Sequence, residues 1–257
     1  MNHGSASALL FVRFGIALST LLLLGLARRR WLPAPGTRRQ VAATGLLIIG
    51  GYSLCYFEAM SRGITPGLLA TLLGIQPILT LFLIERRFSP LRLAGLLLAL
   101  GGLMLVVYQS LVVSGFDPAG MLLAFGALAS MTVGAILQKR VQQPPSDVLP
   151  LQYAVALAAC LVVAPFHSVA FERSLDFFGP AIWLGLIVSV VAQLLLYRLI
   201  RRGNLVNVTS LFYLVPAVTA LLDYLLLGNL LPRQSIIGMV AILAGVALVF
   251  RHGPASK

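Results

Sequence analysis

Acidic residues are scarce in this chain, with seven Asp and Glu in 257 residues against nineteen Lys and Arg. Charged residues of all kinds reach only 10%, where a soluble domain carries roughly 25%. So little charge does not solvate a globular surface. The two cysteines, Cys55 and Cys160, both lie inside apolar runs. They make neither a disulfide framework nor a metal set and read as small core thiols. The three histidines, His3, His167 and His252, fall in terminal or loop segments and offer no paired-ligand spacing. A GxxxxGK(S/T) phosphate loop is missing, which argues against direct ATP coupling within the chain. GxSxG and HExxH are missing too, and the acids are scattered singly, so an enzyme site lacks its usual parts. No cofactor and no metal are expected.

What is present is oil. Hydrophobic residues make up 59% of the chain, and runs such as "AIWLGLIVSVVAQLLL" and "AGLLLALGGLMLVVY" approach the thickness of a bilayer. A membrane barrel would show short alternating segments instead, and none appear. At about 20 residues per crossing, the sequence predicts an all-α polytopic membrane protein with about nine spans. Their limits are 6–27, 41–59, 65–84, 92–112, 119–138, 149–166, 180–200, 205–227 and 235–251. The first span carries its basic cluster after the apolar stretch, unlike a signal peptide, and reads as retained.

The formal charge of +12 is spread in short clusters between spans. That distribution signals topology and argues against a nucleic-acid partner. Arg28, Arg29, Arg30, Arg38, Arg39, Arg86, Arg87, Arg92, Lys139, Arg140, Arg198, Arg201, Arg202, Arg251 and Lys257 fall on one side, fifteen in all. The other side has only Arg62, Arg173 and Arg233. The positive-inside rule puts the first set and the C-terminus in the cytoplasm, and an odd number of spans then puts the N-terminus outside. The expected location is the cell inner membrane.

The chain also echoes itself. "YFEAMSRG" at 56–63 returns as "LYRLIRRG" at 196–203, with Glu58 and Arg198 in the same slot. Each stretch leads into a span with a mid-span proline, Pro77 and Pro216. Each is then followed by a span that opens on a glycine with a second glycine seven residues on: Gly95 and Gly102, then Gly238 and Gly245. The expected organisation is a first repeat of four helices over 1–113, a second of five over 119–251, and a tail at 252–257. An odd number of helices per unit makes the copies enter from opposite sides, the architecture of alternating-access transporters.

These landmarks resemble the EamA-type drug/metabolite transporters. The resemblance implies ten helices in two inverted repeats of five, with a midplane cavity for small organic solutes and both termini cytoplasmic. Two departures stand out: the first of those ten helices has no counterpart, and Gly228-Asn229 replaces the "GE" that often follows the ninth helix. The expected function is therefore a secondary transporter, an exporter or exchanger working by alternating access. Two alternatives stay open: a non-transporting subunit completed by a partner's helix, and a membrane-embedded enzyme. Expected partners are the bilayer, a small-molecule substrate and either a second copy or a protein that supplies the missing helix.

Polar groups inside the spans are the candidate site. Gln76, Pro77, Gln193, Tyr197, Tyr213, Pro216 and Thr219 are the candidates for substrate contact. The prolines free backbone carbonyls in mid-span, although helix–helix hydrogen bonding explains the glutamines equally well. Thr209, Tyr213, Pro216, Thr219 and Asp223 recur at steps of three or four and share a predicted helix face. Asp223, Glu58 and Arg13 are candidates for proton or charge relay. An intramembrane arginine is expensive alone, so Arg13 is expected to pair with Glu58 or Asp223. Gly45, Gly50, Gly51, Gly95, Gly101 and Gly102 are expected at close helix contacts.

Overall fold

A computed structural model describes residues 6–85, 88–113, 117–166 and 175–252. His3, Arg86, Arg87, His167, Arg173 and Lys257 lie outside the described residues. Among the described residues every regular element is helical. Ten helices follow in chain order: α1 Ser7–Ala27, α2 Arg38–Ser61, α3 Pro66–Ile84, α4 Pro90–Val106, α5 Tyr108–Val113, α6 Pro118–Arg140, α7 Pro145–Val163, α8 Phe177–Arg202, α9 Leu205–Leu227 and α10 Arg233–Arg251. Eight of these are long and apolar enough to cross a membrane, and α4 is a ninth, shorter apolar helix of 17 residues. The all-α polytopic expectation therefore holds. The span expected over 92–112 is shorter, because Val107 leaves helical geometry at φ −97°, ψ 13° and α5 starts afresh.

The helices begin and end where local chemistry dictates. Pro66, Pro90 and Pro145 occupy first-turn positions, where a missing N–H costs nothing and φ is already helical. Thr65 caps α3 by accepting from the Leu68 N–H at 3.3 Å, and Asn204 caps α9 by accepting from Asn207 N–H at 3.2 Å. α2 stops at Gly63, whose φ of +85° lets the Ile64 N–H reach back to the Ala59 carbonyl at 3.2 Å. A side chain at that left-handed position would be strained.

The chain forms two compact units. Unit 1 holds residues 1–57 and 129–202; unit 2 holds 58–128 and 203–257. Each draws helices from both halves of the sequence. In unit 1, α1 packs on α7 and α8, and α2 packs on α7. Gly45 makes that second contact possible, since a Cβ there would stand 2.5 Å from the Gln152 Cα. In unit 2, α4 and α10 cross at their repeated glycines. A Cβ on Gly102 would meet the Gly238 carbonyl at 2.5 Å, and one on Gly245 would meet the Gly95 carbonyl at 2.5 Å. The landmarks that suggested an internal repeat thus touch one another, and they let two backbones approach as in small-residue membrane packing. Gly101 faces open space instead, with nothing within 4 Å of the place a Cβ would take. Leu81, Leu96, Ala99, Leu103, Ile242 and Val249 form the surrounding core. Large apolar side chains such as Leu83, Val162 and Leu226 are exposed, the surface a bilayer would solvate.

Candidate functional site

Two kinds of helix irregularity recur in the two halves of the sequence. Leu46–Gly51 in α2 and Leu184–Ala192 in α8 are wound as π-helix. In the next helix of each half the α-geometry breaks: at Gly74–Ile75 in α3, and through a 3-10 turn, Leu211–Tyr213, in α9. Such interruptions leave backbone carbonyls without their helical partner, and in membrane proteins they cluster at functional sites. The prolines flag the breaks but do not sit in them. Pro77 is buried in the first turn of the resumed helix, and Pro216 is half-buried three residues after the 3-10 turn.

The breaks of α3 and α9 meet inside unit 2. The Tyr213 hydroxyl, 1% exposed, donates to the Gly74 carbonyl at the break in α3. One turn along, Gln76 and Thr80 are buried, and neither Gln76 Nε2 nor Thr80 Oγ1 has a hydrogen-bond partner. An unpartnered buried polar atom carries its full desolvation cost of about 1–3 kcal/mol. The two residues lie one helical turn apart and share a face of α3.

The stripe expected along α9 is not equally buried. Thr209 and Tyr213 are buried, whereas Thr219 is exposed and its hydroxyl donates to the Val215 carbonyl at 2.9 Å. The intervening 3-10 turn has about three residues per turn instead of 3.6, and that rotates the face. Asp223 is half-buried and accepts from Asn229 Nδ2 at 3.0 and 3.1 Å. Asn229 is thus tied to the carboxylate before it.

Unit 1 carries its own polar cluster. Arg13 Nε donates to Ser189 Oγ at 2.7 Å, and Tyr153 Oη donates to the Ser189 carbonyl at 2.7 Å. Tyr197 is fully buried, and its hydroxyl lies near the Gln193 side chain one turn earlier without a well-aligned hydrogen bond. Gln152 Nε2 donates to Gln138 Oε1 at 2.9 Å, leaving Gln152 Oε1 without a partner. The carboxylates considered for Arg13 have neighbours of their own: Glu58 meets Arg62 at 3.3 Å, and Asp223 meets Asn229.

The polar feature least visible in the sequence is a buried ionic cluster in unit 2. Arg92, counted above as a loop charge, is 0% exposed. Its Nη1 lies 2.6 Å from both Glu85 carboxylate oxygens, and its Nη2 donates to Asn204 Oδ1 at 2.7 Å and to Asn207 Oδ1. Asn204 Nδ2 in turn donates to Glu85 Oε1 at 3.0 Å, while Arg92 Nε has no partner. The only hint in the sequence was the Asn204–Asn207 pair, three residues apart at a helix start, where both amides reach one point. The cluster joins the end of α3 to the start of α9, so these two helices are tied both at their breaks and at this end.

Eight helices long and apolar enough to cross a bilayer make this a polytopic membrane protein, and comparison with known proteins gives its class. Residues 118–251 match the EamA-like transporter family, and the chain belongs to that family. It is a transporter and not an enzyme. A protein of Salmonella typhimurium described as a "Probable amino-acid metabolite efflux pump" is 29% identical over 221 residues, covering 79% of this chain and 73% of that protein. A solved crystal structure matches with a TM-score of 0.80 over 95% of this chain and 88% of that one. At 22% identity that likeness is one of fold.

Proposed function

We propose that the chain is a secondary transporter that exports or exchanges small organic solutes across the inner membrane by alternating access. The observation that carries this reading is the pair of interrupted helices in unit 2. Beside the break in α3, Gln76 Nε2 and Thr80 Oγ1 offer hydrogen bonds that the protein itself leaves unfilled. The description of the Salmonella relative as an amino-acid metabolite efflux pump supports the same class of solute. Gln76, Tyr213 and the backbone freed near Pro77 and Pro216 contact substrate in unit 2. Gln193 and Tyr197 do so in unit 1, and Thr219 takes an outer position. Asp223 is the carboxylate for proton linkage, with Glu58 the second acid. The Lys and Arg distribution supports a cytoplasmic C-terminus.

The test is flux in vesicles containing the purified chain. A labelled amino acid should exchange against an internal pool of the same solute and should accumulate when a proton gradient is imposed. No exchange of any amino acid or related metabolite, together with a stable partner that restores it, would transfer the function to a complex.

A further inference from the structure

The cluster around Arg13 in unit 1 has a charge and a geometry that the fold does not use up. Arg13 lies six residues beyond the start of α1 at Ser7, about 9 Å along its axis. One donor of its guanidinium is anchored. Nε donates to Ser189 Oγ at 2.7 Å, and Ser189 is 1% exposed within the π-wound stretch of α8. Tyr153 holds the same residue from the other side through its carbonyl. Gly185 brings that stretch against α1, since a Cβ there would stand 2.8 Å from Ile16 Cγ2, one turn beyond Arg13. The outer edge of the guanidinium, Nη1 and Nη2, finds no hydrogen-bond acceptor among the described residues.

Aromatic side chains lie near Arg13. Arg13 Cζ is 5.8 Å from the centre of the Phe14 ring, which meets Tyr153 edge-on at 5.7 Å. Tyr52 interacts electrostatically with Arg13, and its ring lies 5.7 Å from that of Tyr56. A guanidinium with one donor anchored and its terminal fork free suits a carboxylate, which accepts two parallel N–H bonds from such an edge. A bound carboxylate would also neutralise a charge that is costly within a membrane. Phe14 and Tyr153 are buried in the core, so the half-buried Tyr52 and Tyr56 are the rings that would give the rest of the molecule a flat apolar wall.

We propose that Arg13 anchors the carboxylate of a small organic acid with an apolar or aromatic body, and that this acid belongs to the transported class. The second clause rests on the carrier reading above; the anchoring itself does not.

The experiment measures binding and flux separately. The full chain is placed in nanodiscs of zwitterionic lipid, and the ligand concentration for half-maximal thermal stabilisation is read for L-phenylalanine, phenylacetate and L-phenylalaninamide. The two carboxylates should act at concentrations about tenfold or more below the amide, the discrimination expected for charge-assisted hydrogen bonds. Arg13→Gln should erase the preference, and Arg13→Lys, which keeps the charge without the fork, should weaken carboxylate binding about tenfold. Equal potency of acid and amide on the unmodified chain overturns the anchor, whether or not the variants fold. So does a preference that survives Arg13→Gln, or the absence of binding by any of the three. Stabilisation by phosphatidylglycerol but by no soluble acid also overturns it, in favour of a lipid headgroup. Exchange in vesicles without carboxylate preference would leave the carrier reading intact while removing the anchor. Carboxylate binding without exchange of any solute would do the reverse.

Discussion

Replacing Arg92 with Met breaks the buried cluster of unit 2 at its centre. Arg92 is wholly enclosed, and Glu85, 9% exposed, has both carboxylate oxygens 2.6 Å from Arg92 Nη1. Without the guanidinium the carboxylate keeps the Asn204 Nδ2 donor at 3.0 Å but loses its counter-charge. Asn204 Oδ1 still accepts from the Asn207 N–H, so the amides suffer less. Removing one partner of a buried ion pair costs about 3–5 kcal/mol, and that is the loss expected for Arg92→Met. The double change Arg92→Met with Glu85→Leu removes both charges. It should recover most of the loss, because replacing a whole buried pair by apolar groups is often neutral or better. Equilibrium unfolding in mixed micelles, titrated with dodecyl sulfate and followed by circular dichroism, reads both values. A single variant within about 1 kcal/mol of the parent would show that the pair is not the buried, coupled unit described, since that is the scale of an exposed pair. A double variant no more stable than the single would show the same.

Gly102→Val should destabilise by about 1–3 kcal/mol or more through overpacking, because its Cβ would press on the Gly238 carbonyl. Gly101→Ala, in open space next door, should leave thermal unfolding unchanged or raise its midpoint. Gln76→Leu removes a buried nitrogen that has no partner, so stability should hold or rise while vesicle exchange falls; unchanged exchange would take that amide out of the substrate path. Tyr213→Phe strips the Gly74 carbonyl of its donor and should cost about 0.5–1.5 kcal/mol in the same unfolding assay. Asp223→Asn should flatten the response of flux to a proton gradient, and a retained pH profile would remove Asp223 from proton linkage.

The bilayer-spanning architecture was legible because lipid imposes a length and a composition on every helix that crosses it. The runs that predicted α1, α3, α9 and α10 needed no tertiary information. The glycine pairs were legible too, as landmarks, since seven residues is close to two helical turns and keeps both glycines on one face. Partners were not legible. Arg92 beside Pro90 reads as a loop charge, and its acceptors Asn204 and Asn207 lie 112 and 115 residues away. Arg13 likewise meets Ser189 across 176 residues. The π-wound stretches carry no pattern that distinguishes them from α-helix. The prolines pointed to the neighbourhood of the breaks and missed the breaks themselves by a turn or less.

The membrane as solvent was already settled by the sequence. Its apolar runs fit only a membrane, and its corresponding glycines mark the places where α4 and α10 come together. Tertiary structure decided which polar groups are engaged and which are left over. It enclosed Arg92 with Glu85, turned Thr219 outward, and left Gln76, Thr80 and the outer edge of Arg13 unfilled. Spacing along one helix fixes a face, whereas the partner that satisfies a buried donor or charge comes from another element, at seven residues for Arg92 and Glu85 and at 176 for Arg13 and Ser189.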